Sequence, residues 1–242
     1  MQLDVLAIGA HPDDVELGCA GTIAKLVKLK YRVGILDLTE GELGTRGSKA
    51  IRAKEAKLAS KILGIHTREN LHLLDGNIEI NQENKIKLIR ILRKYRPKIL
   101  LFPHWHDRHP DHVHANQLSQ QAWFYSGLVN FKTEIEGKKQ LPWRPHYYFN
   151  YMMKYEFIPS FIVDITDVYD IRQKAVRAYK SQFYNPQSKD PETLLSKKSF
   201  WEFIDTRAKF YGQMIGVKYG DPLYSVNPFG VNDLFDLKIM QG

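Results

Sequence analysis

Two short stretches of this 242-residue chain hold side chains whose types and spacing could do chemistry. The first is Gly9-Ala10-His11-Pro12-Asp13-Asp14-Val15-Glu16. The second runs from His104 to His114 and contains five of the nine histidines, with Asp107, Arg108 and Asp111 among them. Histidine and carboxylate together suit a borderline divalent cation, zinc above all. His11 and Asp14 are three apart, and at a helix start that spacing can aim both at one point. A third ligand from the second stretch would leave one coordination position open, the pattern of a catalytic and not a structural zinc. Water held there would have its pKa lowered to about 7. Asp13 is a spare carboxylate that could act as base, and His109 a spare imidazole that could act as acid or stabilise an oxyanion. The set spells metal-assisted hydrolysis. Taken singly, Asp13 and Asp14 read equally well as first-turn helix residues behind Pro12, and the histidines as polar surface. Only the pairing of the two stretches favours chemistry.

The elements around them supply that pairing. Residues 3–9 form a short apolar run closed by glycine, which predicts a buried strand. Residues 15–29 predict an amphipathic helix with lysines at its C-terminal end. Strands are predicted at 32–39, 70–74 and 99–102, and helices at 49–63, 83–95 and 112–126. The alternation argues for an α/β fold with a Rossmann-like, mostly parallel sheet flanked by helices. In the strand order 3-2-1-4, the first and fourth strands lie side by side. Their following loops then meet at the switch point where ligands bind. The second half is less regular. Strands are expected at 146–151 and 161–165, helices at 167–180 and 193–215, and an exposed basic connection at 132–140. The tail from Tyr219, rich in Gly, Pro and Asn, is expected to wrap the surface. With no repeat and no clean linker, residues 1–242 read as one domain with C-terminal additions.

Composition excludes several classes. Hydrophobic residues are 43% and charged residues 26%, so the chain is neither disordered nor low-complexity. The single cysteine, Cys19, rules out an internal disulfide framework and suits a reducing compartment. The net charge of +8 is spread along the chain and not gathered in a basic cluster, which argues against nucleic acid and for mild attraction to small anions. No basic segment precedes an apolar stretch at the N-terminus, and the apolar run at 5–10 is too short to span a bilayer. A cytoplasmic protein without a membrane partner is expected. A dinucleotide site is excluded after the first strand, where G-x-G-x-x-G is missing and two carboxylates would repel a pyrophosphate.

The string Ala10-His11-Pro12-Asp13-Asp14-Val15-Glu16, paired with His109-Pro110-Asp111-His112, resembles the zinc-dependent deacetylases of the PIG-L/LmbE-like family. Stretches 18–22, 38–47, 52–56, 179–183 and 219–222 extend the resemblance over nearly the whole chain. Within the family it is most similar to the bacillithiol-biosynthesis deacetylases, which act on N-acetylglucosaminyl malate. The resemblance implies one Zn2+ per chain on His11, Asp14 and His112, with another divalent transition metal compatible with the same ligands. It implies Asp13 as general base and His109 as the group that polarises the carbonyl or steadies the oxyanion. Asp111 is then a residue that orients a histidine. Arg52 matches a substrate-contacting arginine, and Glu42 and Arg108 are further substrate-contact candidates. The implied partner is a small anionic sugar conjugate, and the implied assembly a homo-oligomer built from trimers, for which the aromatics at 123–125 and 147–149 offer an interface. The tail departs from the family pattern at Asp221 and Leu223, and His104, His106 and His114 have no implied role. Other readings remain: an amidase or deacetylase for another N-acetyl sugar or thiol–sugar conjugate, or a metal-dependent binding protein without catalysis.

Overall fold

β1 (Val5–Gly9) is buried along its whole length, and its side chains feed two cores in alternation. Val5 and Ala7 face one core, and Leu6 and Ile8 the other. Such a strand must lie in the middle of a sheet covered on both faces. In the computed structural model, which describes residues 1–234, it does. After β1 come α1 (Asp14–Lys28), β2 (Val33–Thr39), α2 (Lys49–Leu63), β3 (Thr67–Leu73), α3 (Gln82–Tyr95), β4 (Ile99–Pro103) and α4 (Pro110–Ser126). The chain continues through a short hairpin of β5 (Glu134–Ile135) and β6 (Lys138–Lys139). Then follow β7 (Tyr147–Tyr151), β8 (Phe161–Asp164), α5 (Tyr169–Val176), α6 (Lys198–Met214) and β9 (Gly220–Tyr224). The large sheet has the order β3-β2-β1-β4-β7-β9-β8. Its first five strands are parallel, and β9 runs antiparallel to both neighbours. The 3-2-1-4 order therefore holds, and the loops after β1 and β4 leave the sheet side by side. Among the described residues no helix is long and apolar enough to cross a membrane.

Close packing of α1 on the sheet requires Gly18, because a Cβ there would overlap the Tyr151 ring. The Tyr151 hydroxyl in turn donates to the Ile8 carbonyl at 2.8 Å. One residue on, Cys19 has non-helical backbone angles and kinks α1. The kink disturbs the helical hydrogen bonds, and the Thr22 N–H is taken by Asp221 Oδ2 at 2.7 Å. The two tail departures thus both have partners: Asp221 repairs the kink, and Leu223 is buried in the core.

Three expectations in the second half are corrected. The tail from Tyr219 does not wrap the surface; residues 220–224 enter the sheet as β9. Proline is disfavoured inside strands, yet Pro222 is tolerated because β9 meets β7 only at Leu223 and Tyr224 and meets β8 along its length. The end of the tail, 235–242, lies outside the described residues. The helix expected at 167–180 is α5, preceded by a 3-10 turn, and stops at Val176. Beyond it Ser181 is drawn to Glu55 of α2 by two 2.7 Å hydrogen bonds. The helix expected at 193–215 begins at Lys198, because Thr193 and Ser196 close a side-chain turn on each other's backbone. The stretch 132–140 contains the β5–β6 hairpin. Of the aromatics expected at an interface, Trp123, Tyr125 and Tyr148 pack on the α3–α4 core, while Phe124 and Tyr147 are exposed.

One buried ion cluster ties together the elements that carry the site. Arg68 of β3 grips Asp37 of β2 with Nε and Nη2 at 2.7 and 2.8 Å, and Glu16 of α1 with Nη1 at 2.6 Å. Replacing Arg68 by Met would abandon two buried carboxylates, at a cost of about 3–5 kcal/mol. Urea denaturation of Arg68→Met should show that loss at neutral pH. The loss should be smaller in acid, where protonation removes the buried charge. An unchanged midpoint would mean that the cluster does not hold these elements.

Candidate metal centre and active site

The turn between β1 and α1 is tight. The Asp14 N–H donates to the His11 carbonyl at 3.2 Å, and the His11 N–H donates back to Asp14 Oδ2 at 2.9 Å. Ala10 is held to β2 by two hydrogen bonds from Thr39. The geometry places Asp13 at φ 118°, a backbone conformation that residues other than glycine rarely adopt. Strain of this kind persists only where the surroundings over-determine it, and it clusters at functional sites.

Asp14 lies between two imidazoles. Its Oδ2 is 3.4 Å from His11 Nδ1 and its Oδ1 is 3.2 Å from His112 Nε2. The other nitrogen of each ring is occupied by a carboxylate. His11 Nε2 faces Asp75 Oδ1 at 3.0 Å and Asp111 Oδ2 at 3.2 Å. His112 Nδ1 faces Asp107 Oδ1 at 2.9 Å. Carboxylates on the outer nitrogens make those the protonated ones. The lone pairs of His11 Nδ1 and His112 Nε2 are left to converge on Asp14, the carboxylate–histidine arrangement that supports a metal ligand set. All three residues are buried. Burial opposes charge on His11 and His112, but the surrounding carboxylates win, raising His112 to about 9 and His11 well above its ordinary value. A pocket that draws protons onto both rings fits a bound cation. His109, His11 and His112 also bring ligand atoms within 4.8 Å of one another, as do His11, Asp75 and Asp111. Asp75 and Asp111 share one histidine nitrogen, so they sit outside the Asp14 set.

These outer carboxylates are themselves tied to the backbone. Asp107 Oδ2 accepts from the N–H groups of Lys154 and Tyr155 at 2.8 and 3.1 Å. Asp111 Oδ2 accepts from Gly76 N–H at 2.7 Å, and Asp75 Oδ2 from Leu43 N–H at 2.8 Å. Against the opposing effect of burial, hydrogen bonds to His11 and Leu43 hold Asp75 down at about 2.

Asp13 is buried beside this set. Burial raises its pKa to about 7, against the pull of Arg52. Arg52 Nη2 donates to Asp13 Oδ2 at 3.0 Å and to Gln182 Oε1 at 2.9 Å. His109 caps α4, its Nδ1 accepting from the Asp111 N–H at 3.2 Å. That fixes the tautomer: the proton is on Nε2. Burial, aided by the neighbouring His11 and His112, holds its pKa below the ordinary value and keeps the ring neutral.

A cavity of about 350 Å³ opens over these groups. His11, Asp13, Asp14, Arg52, Arg108, His109 and His112 line it, and Arg108 is exposed at its mouth. Glu42 does not line it. Its carboxylate accepts instead from the backbone N–H groups of Asp75 and Glu40 and so props the Asp75 loop. His104, His106 and His114 stay outside the lining. His104 is buried, His106 lies against Tyr155, and His114 sits on α4. Sequence reasoning missed Asp75, the role of Asp107 beside His112, and Gln182. Asp75 had a readable signal: it follows β3, and each loop leaving this edge of a parallel sheet borders the same crevice.

The family model for GlcNAc-PI de-N-acetylase, PIG-L, matches residues 6–123, which contain both histidine–aspartate stretches. The diacetylchitobiose deacetylase of Thermococcus kodakarensis is 34% identical over 230 residues, covering 90% of this chain and 80% of that protein. A probable N-acetyl-alpha-D-glucosaminyl L-malate deacetylase of Bacillus anthracis is 31% identical over 131 residues, 49% of this chain and 58% of that protein. A conserved protein of Thermus thermophilus, solved as a crystal structure, superposes with a TM-score of 0.85 at 36% identity, covering 95% of this chain and 97% of that one.

Two variants test the ligand arrangement. His112→Ala should purify without bound metal. Asp107→Asn should keep the ligand set but weaken metal affinity by about 10–100-fold in a chelator competition. Full metal content in His112→Ala would remove it from the ligand set.

Proposed function

The chain belongs to the PIG-L family, and on that premise we propose that it hydrolyses the acetamide of an N-acetylglucosamine conjugate with a divalent cation, zinc first, at His11, Asp14 and His112. The observation that carries the reading is a carboxylate beyond the ligand set: Asp13, buried in the cavity wall, clamped by Arg52 and raised by burial to about 7. A cation bound there supplies Lewis acidity, which makes water reactive at neutral pH.

The residues of the chain divide the remaining work. Asp13 accepts a proton from the attacking water, and a carboxyl group near neutrality can pass that proton on to the departing amine. Arg52 and Gln182 fix the direction in which Asp13 points. His109 offers its Nε2–H to the carbonyl oxygen as negative charge gathers there. Asp75 and Asp111 hold His11, and Asp107 holds His112. The C–N bond breaks, the water oxygen stays on the acetyl carbon, and acetate and a free amine leave.

The expected anionic conjugate has support at the mouth. Arg108 and Lys154 line the cavity, and among the described residues neither side chain has an acidic partner within ion-pair distance. Arg108, exposed at the mouth, and Lys154, whose ammonium lies over the Phe203 ring at 3.9 Å, supply positive charge that favours a substrate carrying a carboxylate, and N-acetylglucosaminyl malate is the first candidate. Diacetylchitobiose is a second reading, favoured by the archaeal relative that matches most of the chain.

Acetate release from both compounds, with and without a chelator, tests the proposal. Chelator-sensitive release with a preference for the malate conjugate is expected. A preference for diacetylchitobiose would select the second reading, and no release by metal-loaded protein would overturn both. Asp13→Asn should keep its metal and lose between about 100- and 10,000-fold in turnover. A fully active variant would remove Asp13 from the mechanism.

A further inference from the structure

The wall of the cavity formed by α1 and α6 is hydrocarbon along Leu17, Met153, Phe200 and Ile204, with Arg207 and Lys154 on Phe203 at its margin, and it begins one helical turn from the reacting groups. Leu17 follows Asp13 and Asp14 by four and three residues, so it shares their face of α1. Against it lies α6, whose residues Phe200, Phe203, Ile204 and Arg207 follow one another at helical spacing on one face. Arg207 fixes that face in place by donating to the Leu17 carbonyl at 3.0 Å and to the Met153 carbonyl. Met153 joins the same wall. At the mouth the rim is also apolar: Leu43 is 69% exposed and Leu194 is 37% exposed, and both line the cavity. Exposed leucines at the entrance of an apolar chamber favour a ligand that covers them.

An amide carbonyl carries two substituents, the nitrogen with its sugar and the acyl chain. The sugar needs hydroxyl partners, and polar residues stand on the loop side of the cavity, with Gly44, Thr45 and Arg108, while the Lys154 ammonium lies over the Phe203 ring at the outer end of α6's face. The hydrocarbon wall starts beside the base and the ligand carboxylate and suits the other substituent. An acetyl methyl is about the size of one water, roughly 30 Å³, and could cover little of this wall. We propose that the cavity seats an N-acyl chain longer than acetyl along Leu17, Met153, Phe200 and Ile204, so that the enzyme is an N-deacylase of glucosamine conjugates bearing medium acyl chains. The inference rests on the N-deacetylase reading above and extends it. The reaction balances as before: water adds to the acyl carbon, the C–N bond breaks, and a longer carboxylate leaves in place of acetate.

The test is a series of glucosamine conjugates bearing N-acetyl, N-butanoyl and N-hexanoyl groups on one aglycone, with amine release measured on metal-loaded protein. Burying one methylene is worth about 0.8 kcal/mol, so kcat/KM should rise roughly fourfold per added methylene until the wall is filled. Ile204→Phe should lower the hexanoyl-to-acetyl ratio by shortening the chamber, and the wild-type series decides the matter even if that variant folds poorly. A rate that is highest for acetyl and falls with chain length overturns the inference and leaves the deacetylase reading standing. A rise with the length of an O-alkyl aglycone, but not of the acyl chain, also overturns it, since the wall then serves the other side of the amide. No amine release from any of them overturns both readings.

Discussion

Four carboxylates, Asp13, Asp14, Glu16 and Asp37, are buried where α1 begins above the sheet. Left to themselves they would repel one another in a medium that screens little, and burial of each unpaired charge would cost several kcal/mol. The fold is arranged to neutralise them. Arg68 reaches in from β3 to hold Asp37 and Glu16, and Arg52 reaches in from α2 to hold Asp13. Asp14 alone has no arginine; it faces His11 and His112. That division separates structure from chemistry. Two of the carboxylates are matched by a fixed charge, one is matched but raised by burial to about 7, and Asp14 faces two imidazoles, as a candidate metal ligand would.

The same logic explains why the site draws on so many loops. A histidine ligand must present one nitrogen and have the other restrained, or the ring turns. His11 is restrained from the β3 and α4 sides by Asp75 and Asp111, and His112 from its own loop by Asp107. Each restraining carboxylate is anchored by backbone N–H groups from a further segment: Leu43 for Asp75, Gly76 for Asp111, and Lys154 and Tyr155 for Asp107. The geometry of the candidate ligand set is thus fixed by the segments following β1, β2, β3, β4 and β7, all at the carboxyl ends of the parallel strands.

Much of this was legible in the residues. β1 reads as a buried strand because an apolar run ends in glycine, and the strand–helix alternation leads to the 3-2-1-4 order without further help. That order places His11 and His112 together although 101 positions separate them in sequence. The illegible parts share a physical cause. Asp75 and Gln182 look like ordinary loop residues, and only the tertiary structure shows what they touch. β9 is hidden because Pro222 and the surrounding turn-forming residues argue against a strand. It forms because Leu223 is buried and Asp221 meets the kink in α1, and neither contact has a local signature.

The C-terminal additions do more than close the sheet. Once the parallel strands have set the polar half of the site, α6 supplies Phe200, Phe203 and Ile204 opposite it, and β9 packs behind α6. Asp221 supports the kinked turn of α1 from β9, and Arg207 binds α6 to the next turn, at the Leu17 carbonyl. The Leu17 contact lies within about one turn of Asp13 and Asp14, and the Thr22 contact about two and a half turns from Asp13. The part of the chain that varies from a simple alternating α/β pattern is therefore the part that walls the cavity. The candidate catalytic groups sit at loops and helix starts fixed by the sheet, whereas the opposite wall of the cavity depends on α6, which packs on β9 and is tied to α1 by Arg207 at the Leu17 carbonyl. Substitutions at Phe200 or Ile204 would therefore reshape this wall without touching the polar residues opposite it.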